Sequence, residues 1–169
     1  QKTAYEIRPR DWSSDVCSSD LPSNLFTLLE TIPPYWEAFK QQFYKRMGDP
    51  TTEEGRALLK ERSPLNFAHR ISRPLLIGQG ANDPRVNVRE SDQIVEAMAA
   101  RKIPVTYVLF PDEGHGFARP VNNIAFNAVT ENFLAQCLGG RAEPIGTALK
   151  GSTAQIKHGA EFAQGLKAA

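Results

Sequence analysis

The sequence predicts an α/β protein built on a parallel sheet flanked by helices. Two observations carry this: a strand, helix, strand, helix order over residues 74–138, and an acid and a histidine in the loops that follow the two strands. PLLIGQG, residues 74–80, is a short apolar run opened by proline and closed by glycine, the pattern of a strand buried on both faces. ESDQIVEAMAARK then spaces Ile94, Val95, Met98 and Ala99 helically, and VTYVLF returns to β-branched and aromatic residues. After the loop PDEGHGF a helix is expected from about Val121 to Leu138. A strand joined through a helix to a second strand forms a βαβ unit, whose strands run parallel and end at the same edge. Open α/β sheets bind their ligands at that edge.

Upstream, YWEAFKQQFYKRMGDP places Trp36, Phe39, Phe43, Tyr44 and Met47 on one helical face, with Gly48 and Pro50 stopping the helix. TTEEGRALLKERSP predicts a second helix, with Thr51 and Glu54 at capping-box spacing and an end before Ser63-Pro64. Beyond Gly139-Gly140 periodicity is lost, and residues 141–169 are expected to form an extended or poorly ordered tail.

Residues 1–21, QKTAYEIRPRDWSSDVCSSDL, have neither helical nor strand periodicity. Back-translated, QKTAYEI and DWSSDVCSSDL resemble the two constant parts of a common short-read sequencing adapter, with Arg8-Pro9-Arg10 as the index between them. The segment is therefore set apart from the fold as non-native, and Tyr5, Trp12 and Cys17 receive no functional role. The alternative is a natural Ser/Asp-rich linker. On this division residues 22–140 form one partial domain, and the native polypeptide is expected to extend upstream.

Composition narrows the function. With 41% hydrophobic and 23% charged residues, the chain is ordinary for a globular protein. Twenty basic and 19 acidic residues, net charge +1, are spread without the basic block that nucleic acid or a membrane surface needs. No apolar run approaches the roughly 18 residues of a membrane span. Two cysteines, Cys17 and Cys137, provide neither a disulfide framework nor clustered zinc ligands. No cofactor is expected, and the sequence indicates no compartment.

Chemistry concentrates in two loops. Asp83 follows the first strand and His115, between Gly114 and Gly116, follows the second, so residues about thirty apart meet across neighbouring loops. A carboxylate that accepts from imidazole Nδ1 fixes the tautomer in which Nε2 takes a proton from a nucleophile. Asn82 and Arg85 flank the acid, as loop-fixing or solvated groups. Asp112 is close enough to orient His115 but is favoured as a turn cap, and Asp83 could itself only initiate the Asp-Pro turn. Pro33-Pro34-Tyr35-Trp36 borders a substrate pocket or, the favoured reading, starts a core-facing helix. His69 and His158 are expected to be structural or exposed.

GxxDPRV followed by FPDEGHGF resembles the acid and histidine segments of α/β-hydrolases, closest to the prolyl oligopeptidase family of serine peptidases in its acylaminoacyl-peptidase and dipeptidyl-peptidase-like branch. PLLIGQGANDPRV, AMAARKIPVTYVLFPDEGHGF and SPLNFAHRI look like stretches of that catalytic domain in the same order. The resemblance runs from about Pro22 to the C-terminus. It implies a C-terminal fragment of an α/β-hydrolase fold with its early strands missing, Asp83 as triad acid, His115 as base and short peptides as substrates. It also implies an upstream β-propeller and catalytic half as partners outside the chain. Family order is Ser, Asp, His, yet no G-x-S-x-G occurs anywhere in the sequence, and Ser23 and Ser63 lie between no glycines. The nucleophilic serine is thus expected to be absent, leaving the fragment inactive alone. A carboxylesterase on the same fold is one rival. A non-catalytic nucleotide- or metal-binding module using GQGAND and Asp83 is another, weakened because Asp stands where a third glycine is needed.

Overall fold

The computed structural model describes residues 22–160; the adapter-like segment 1–21 and the last part of the tail lie outside the described residues. In chain order the elements are α1 (Leu25–Glu30), α2 (Lys40–Met47), α3 (Glu53–Arg62), β1 (Leu75–Gly80), α4 (Val88–Ala99), β2 (Val105–Phe110), α5 (Pro120–Leu138) and β3 (Gln155–His158), with 3-10 segments at Pro34–Phe39 and Pro64–Arg70.

β1 and β2 pair in parallel, from Leu75 opposite Val105 to Gly80 opposite Phe110. Both strands therefore end on the same rung, and the loops carrying Asp83 and His115 leave from it together. All six residues of β1 are buried, as the unalternating apolar run requires of a strand covered on both faces. On one face Leu75, Ile77, Val105 and Tyr107 meet Ile94, Val95 and Met98 of α4. On the other, Leu76, Val108 and Phe110 meet Phe126, Val129 and Phe133 of α5. Each large core side chain of this kind contributes about 3 kcal/mol or more, judged by the cost of truncating it.

The tail departs from expectation. Residues 155–158 form β3, which runs antiparallel to β2 and makes the sheet mixed rather than wholly parallel. Ala154 and Ile156 are buried in the α5-side core, and Leu149 packs against it. Burial of these three apolar groups offsets the cost of ordering a segment with no periodic signature.

The first three helices form a satellite core around Leu25, Leu29 and Leu59, against which Phe43, Tyr44 and Met47 pack. It is tied to the main body by Glu90 of α4. This fully buried carboxylate accepts from the backbone N–H of Ser23 at 2.9 Å and of Asn24 at 2.7 Å, and from the Thr27 hydroxyl. An acid at the first turn of α1 satisfies N–H groups that a helix leaves orphaned.

Two local expectations are corrected. The cap of α3 is Thr52, whose Oγ1 accepts from Gly55 N at 3.1 Å, rather than Thr51. Thr51 is diverted because its N–H and hydroxyl donate to Asp49 Oδ1 at 2.8 and 2.6 Å, closing an Asx turn ahead of the helix. Residues 34–39 are 3-10 rather than α, and Trp36 still packs on Phe43, with ring centroids 5.8 Å apart. Tyr35 and Phe39 stand exposed at 58% and 51%, while Pro33 is buried and Trp36 half-buried, so this start faces the core only in part. Among the described residues no helix is long and apolar enough to cross a membrane.

Candidate active site

Asp83 and His115 meet where the two strands end. Asp83 Oδ2 lies 3.0 Å from His115 Nδ1; the carboxylate is fully buried, while the imidazole is 27% exposed. Asp83 Oδ1 accepts from the backbone N–H of Arg85 at 2.8 Å and of Val86 at 2.9 Å. The acid thus has one oxygen committed to its own turn and one to the imidazole. The turn itself is held from behind by fully buried Gln79, whose Nε2 donates to the carbonyls of Gly80 and Val86 and whose Oε1 accepts from Ser91 Oγ at 2.7 Å.

The two loops are stitched to each other. Ala81 N donates to Phe110 O at 3.0 Å, Asn82 N to Glu113 O at 2.9 Å, and Asn82 Nδ2 to Pro111 O at 2.8 Å. Contact at Gly80 is so close that a Cβ there would lie 2.2 Å from Gly114 O. Gly116 has φ +85°, a conformation that costs a glycine little and lets the chain reverse immediately after the histidine. Phe117 then inserts beside Phe110 and Phe126, with ring centroids 4.3 and 5.1 Å away.

Glu113, inside the quoted motif, has a structural part that the sequence did not disclose. Its buried carboxylate accepts from Ala118 N at 2.9 Å and Arg119 N at 3.0 Å, bracing the far side of the histidine turn at the start of α5. Oε1 also accepts from Asn122 Nδ2 at 2.8 Å. An acid followed six residues later by an Arg-Pro helix start was the available signal. Asn122 and Thr153 carried none, because their partners are remote in sequence.

The other candidates separate cleanly. Asp112 does not orient His115: it accepts from Asn122 Nδ2 at 3.1 Å and from the Thr153 hydroxyl, and pairs with Arg119 at 2.7 Å. Thr153 above all, then Asn122, and more weakly Arg119, hold its carboxyl below the usual range against the opposing effect of burial. Arg85 leans its guanidinium over Trp36 at 5.7 Å. His69 and His158 are exposed. Ser23 Oγ donates to Glu90 O at 2.6 Å and Ser63 Oγ to Leu59 O at 2.7 Å, so both hydroxyls are committed away from His115. The GQGAND loop lies against the histidine loop, and the Asp83 carboxylate is taken up by protein donors, which argues against a nucleotide- or metal-binding use.

Residues 34–141 match the sequence profile of the Prolyl oligopeptidase family. Dipeptidyl aminopeptidase BIII of Pseudoxanthomonas mexicana is 66% identical over 152 residues, covering 89% of this chain and 22% of that protein. Dipeptidyl peptidase family member 6 of Caenorhabditis elegans is 49% identical over 144 residues, 83% of this chain and 20% of that protein. A puromycin-hydrolyzing peptidase of Mycobacterium tuberculosis superposes with a TM-score of 0.64 at 30% identity, over 72% of this chain and 18% of that one. The chain spans about a fifth of the length of these relatives.

Proposed function

The chain belongs to the prolyl oligopeptidase family of serine peptidases, with an α/β-hydrolase fold, and from that premise we propose that Asp83 and His115 are the acid and base of a Ser-His-Asp charge system that cleaves short peptides. The observation that carries this reading is the 3.0 Å Asp83 Oδ2 to His115 Nδ1 pair, formed by a buried acid and a partly exposed imidazole at the common end of two parallel strands. With Nδ1–H donating to Asp83, the Nε2 lone pair removes the proton of a serine hydroxyl as it attacks the scissile carbonyl. The imidazolium, stabilised by Asp83, then protonates the leaving amine, and water attack on the acyl-enzyme repeats the cycle. No G-x-S-x-G lies in the 169 residues, so the serine is supplied by polypeptide outside them, and this chain by itself does not turn over substrate. On the same reading, residues 1–21 are adapter-derived and residues 22–140 are the part of the catalytic domain that this chain carries.

The test is a chimera in which residues 22–160 replace the matching stretch of the 66% identical dipeptidyl aminopeptidase. It should release dipeptides, and kcat should fall by about 10⁶ in His115→Ala and about 10⁴ in Asp83→Asn. Full activity in the His115→Ala chimera would overturn the assignment. A kcat/KM that favours carboxylic esters over peptide amides would move the substrate class to esters.

A further inference from the structure

On the far side of the histidine loop from Asp83 lies a second polar network, and it reaches beyond α5. Asn122, fully buried in the first turn of α5, has its side-chain amide committed on both sides. Nδ2 donates to Asp112 Oδ1 at 3.1 Å and Glu113 Oε1 at 2.8 Å; Oδ1 accepts from Ser152 Oγ at 2.9 Å and Thr153 N at 3.0 Å. The Thr153 hydroxyl donates to Asp112 directly. Two carboxylates at the start of the Gly-His-Gly turn are therefore joined, through one amide, to two residues about thirty positions further on. Glu113 completes the circuit by accepting from Ala118 and Arg119 at the other end of the turn.

We propose that the segment after α5 is a strap that positions the catalytic histidine, with Thr153 and Asn122 as positioning residues that act through Asp112 and Glu113. The strap is fastened at both of its ends. Leu149, Ala154 and Ile156 enter the core that contains Phe110 and Phe117, the residues bracketing the loop, and β3 pairs with β2 immediately before that loop begins. His115 thus sits at the midpoint of a turn closed on one side by Asp83 and on the other by the strap. The word catalytic rests on the function proposed above; the mechanical coupling does not.

The experiment uses the full 169-residue chain and reads the histidine rather than turnover. In Thr153→Val, which keeps the shape and removes the donor, amide exchange of residues 112–119 should rise about tenfold, the equivalent of one lost hydrogen bond to a charged group. The His115 Nδ1–H resonance should broaden, while exchange in α4 stays unchanged. Thr153→Ser should restore both. Should Thr153→Val fail to fold, Ser152→Ala, which removes one donor to Asn122, is expected to give the same pattern more weakly. An unchanged His115 resonance and loop exchange in these variants, or acceleration spread equally over α4, would overturn the proposal. Because no activity is measured, a failure here is distinct from an active His115→Ala chimera, which would overturn the catalytic reading alone.

Discussion

Asp112 illustrates how a residue beside the site is read differently from one within it. The Thr153 hydroxyl and Asn122 amide donate to its ionised form, and the folded carboxyl sits below the ordinary value. A folded pKa depressed below the unfolded one contributes stability above the unfolded pKa, about 4, and loses it as pH falls through the folded value. Thermal melts should therefore fall more steeply below about pH 4 in the parent than in Asp112→Asn; parallel curves would contradict this. Tyr107 poses the converse case. It is 2% exposed, its hydroxyl makes no well-formed hydrogen bond among the described residues, and burial, then the charge and hydrogen-bonding pull of the Asp92 carboxylate, hold its phenol far above the ordinary value. Tyr107→Phe should leave stability unchanged or raise it by about 1 kcal/mol, since it removes a buried hydroxyl without a well-formed hydrogen bond; a loss of that size by denaturant titration would show that the hydroxyl is paired with Asp92. The Asp83 and His115 pair was legible because each sits in a short motif just past a strand. Asn122 was not, since an amide inside a helix start announces nothing until its distant partners are placed.

At the scale of elements, the contrast between the ends of α4 and α5 is instructive. Both close through a left-handed residue. α5 uses Gly139 at φ +72°, whereas α4 uses exposed Lys102 at φ +58°. Around Lys102 the closing bonds are in place, Ile103 N to Met98 O at 3.0 Å and Lys102 N to Ala99 O at 2.9 Å, so the pattern is a Schellman end with a side chain where glycine is preferred. Lys102→Gly should stabilise the chain by about 1 kcal/mol, measured by denaturant midpoint, because it relieves the left-handed cost without disturbing a contact. Helical periodicity located α3, α4 and α5 to within a few residues. It read residues 34–39 as α where they are 3-10, because over so short a segment a three-residue turn reproduces i, i+3 spacing.

At the scale of the whole molecule, the βαβ unit followed from element order alone, while β3 did not, because four residues amid Gly, Ser, Thr and Ala carry no alternation of their own. One edge of β2 is covered by β3; the outer edge of β1 is not paired among the described residues, although β1 is apolar and uncharged along its length. Such an edge is a template for another strand. Sedimentation velocity of the 169-residue chain should show mass rising with concentration, and a monomer throughout would refute this. The shared rung at Gly80 and Phe110 bears on how this part of the protein tolerates change. From that rung, Asp83 is three residues out and His115 five. One inserted or deleted residue shifts a chain by about 3.3 Å, several times the slack of a hydrogen bond. The length of these loops is thus held as strictly as the residues that stitch them together.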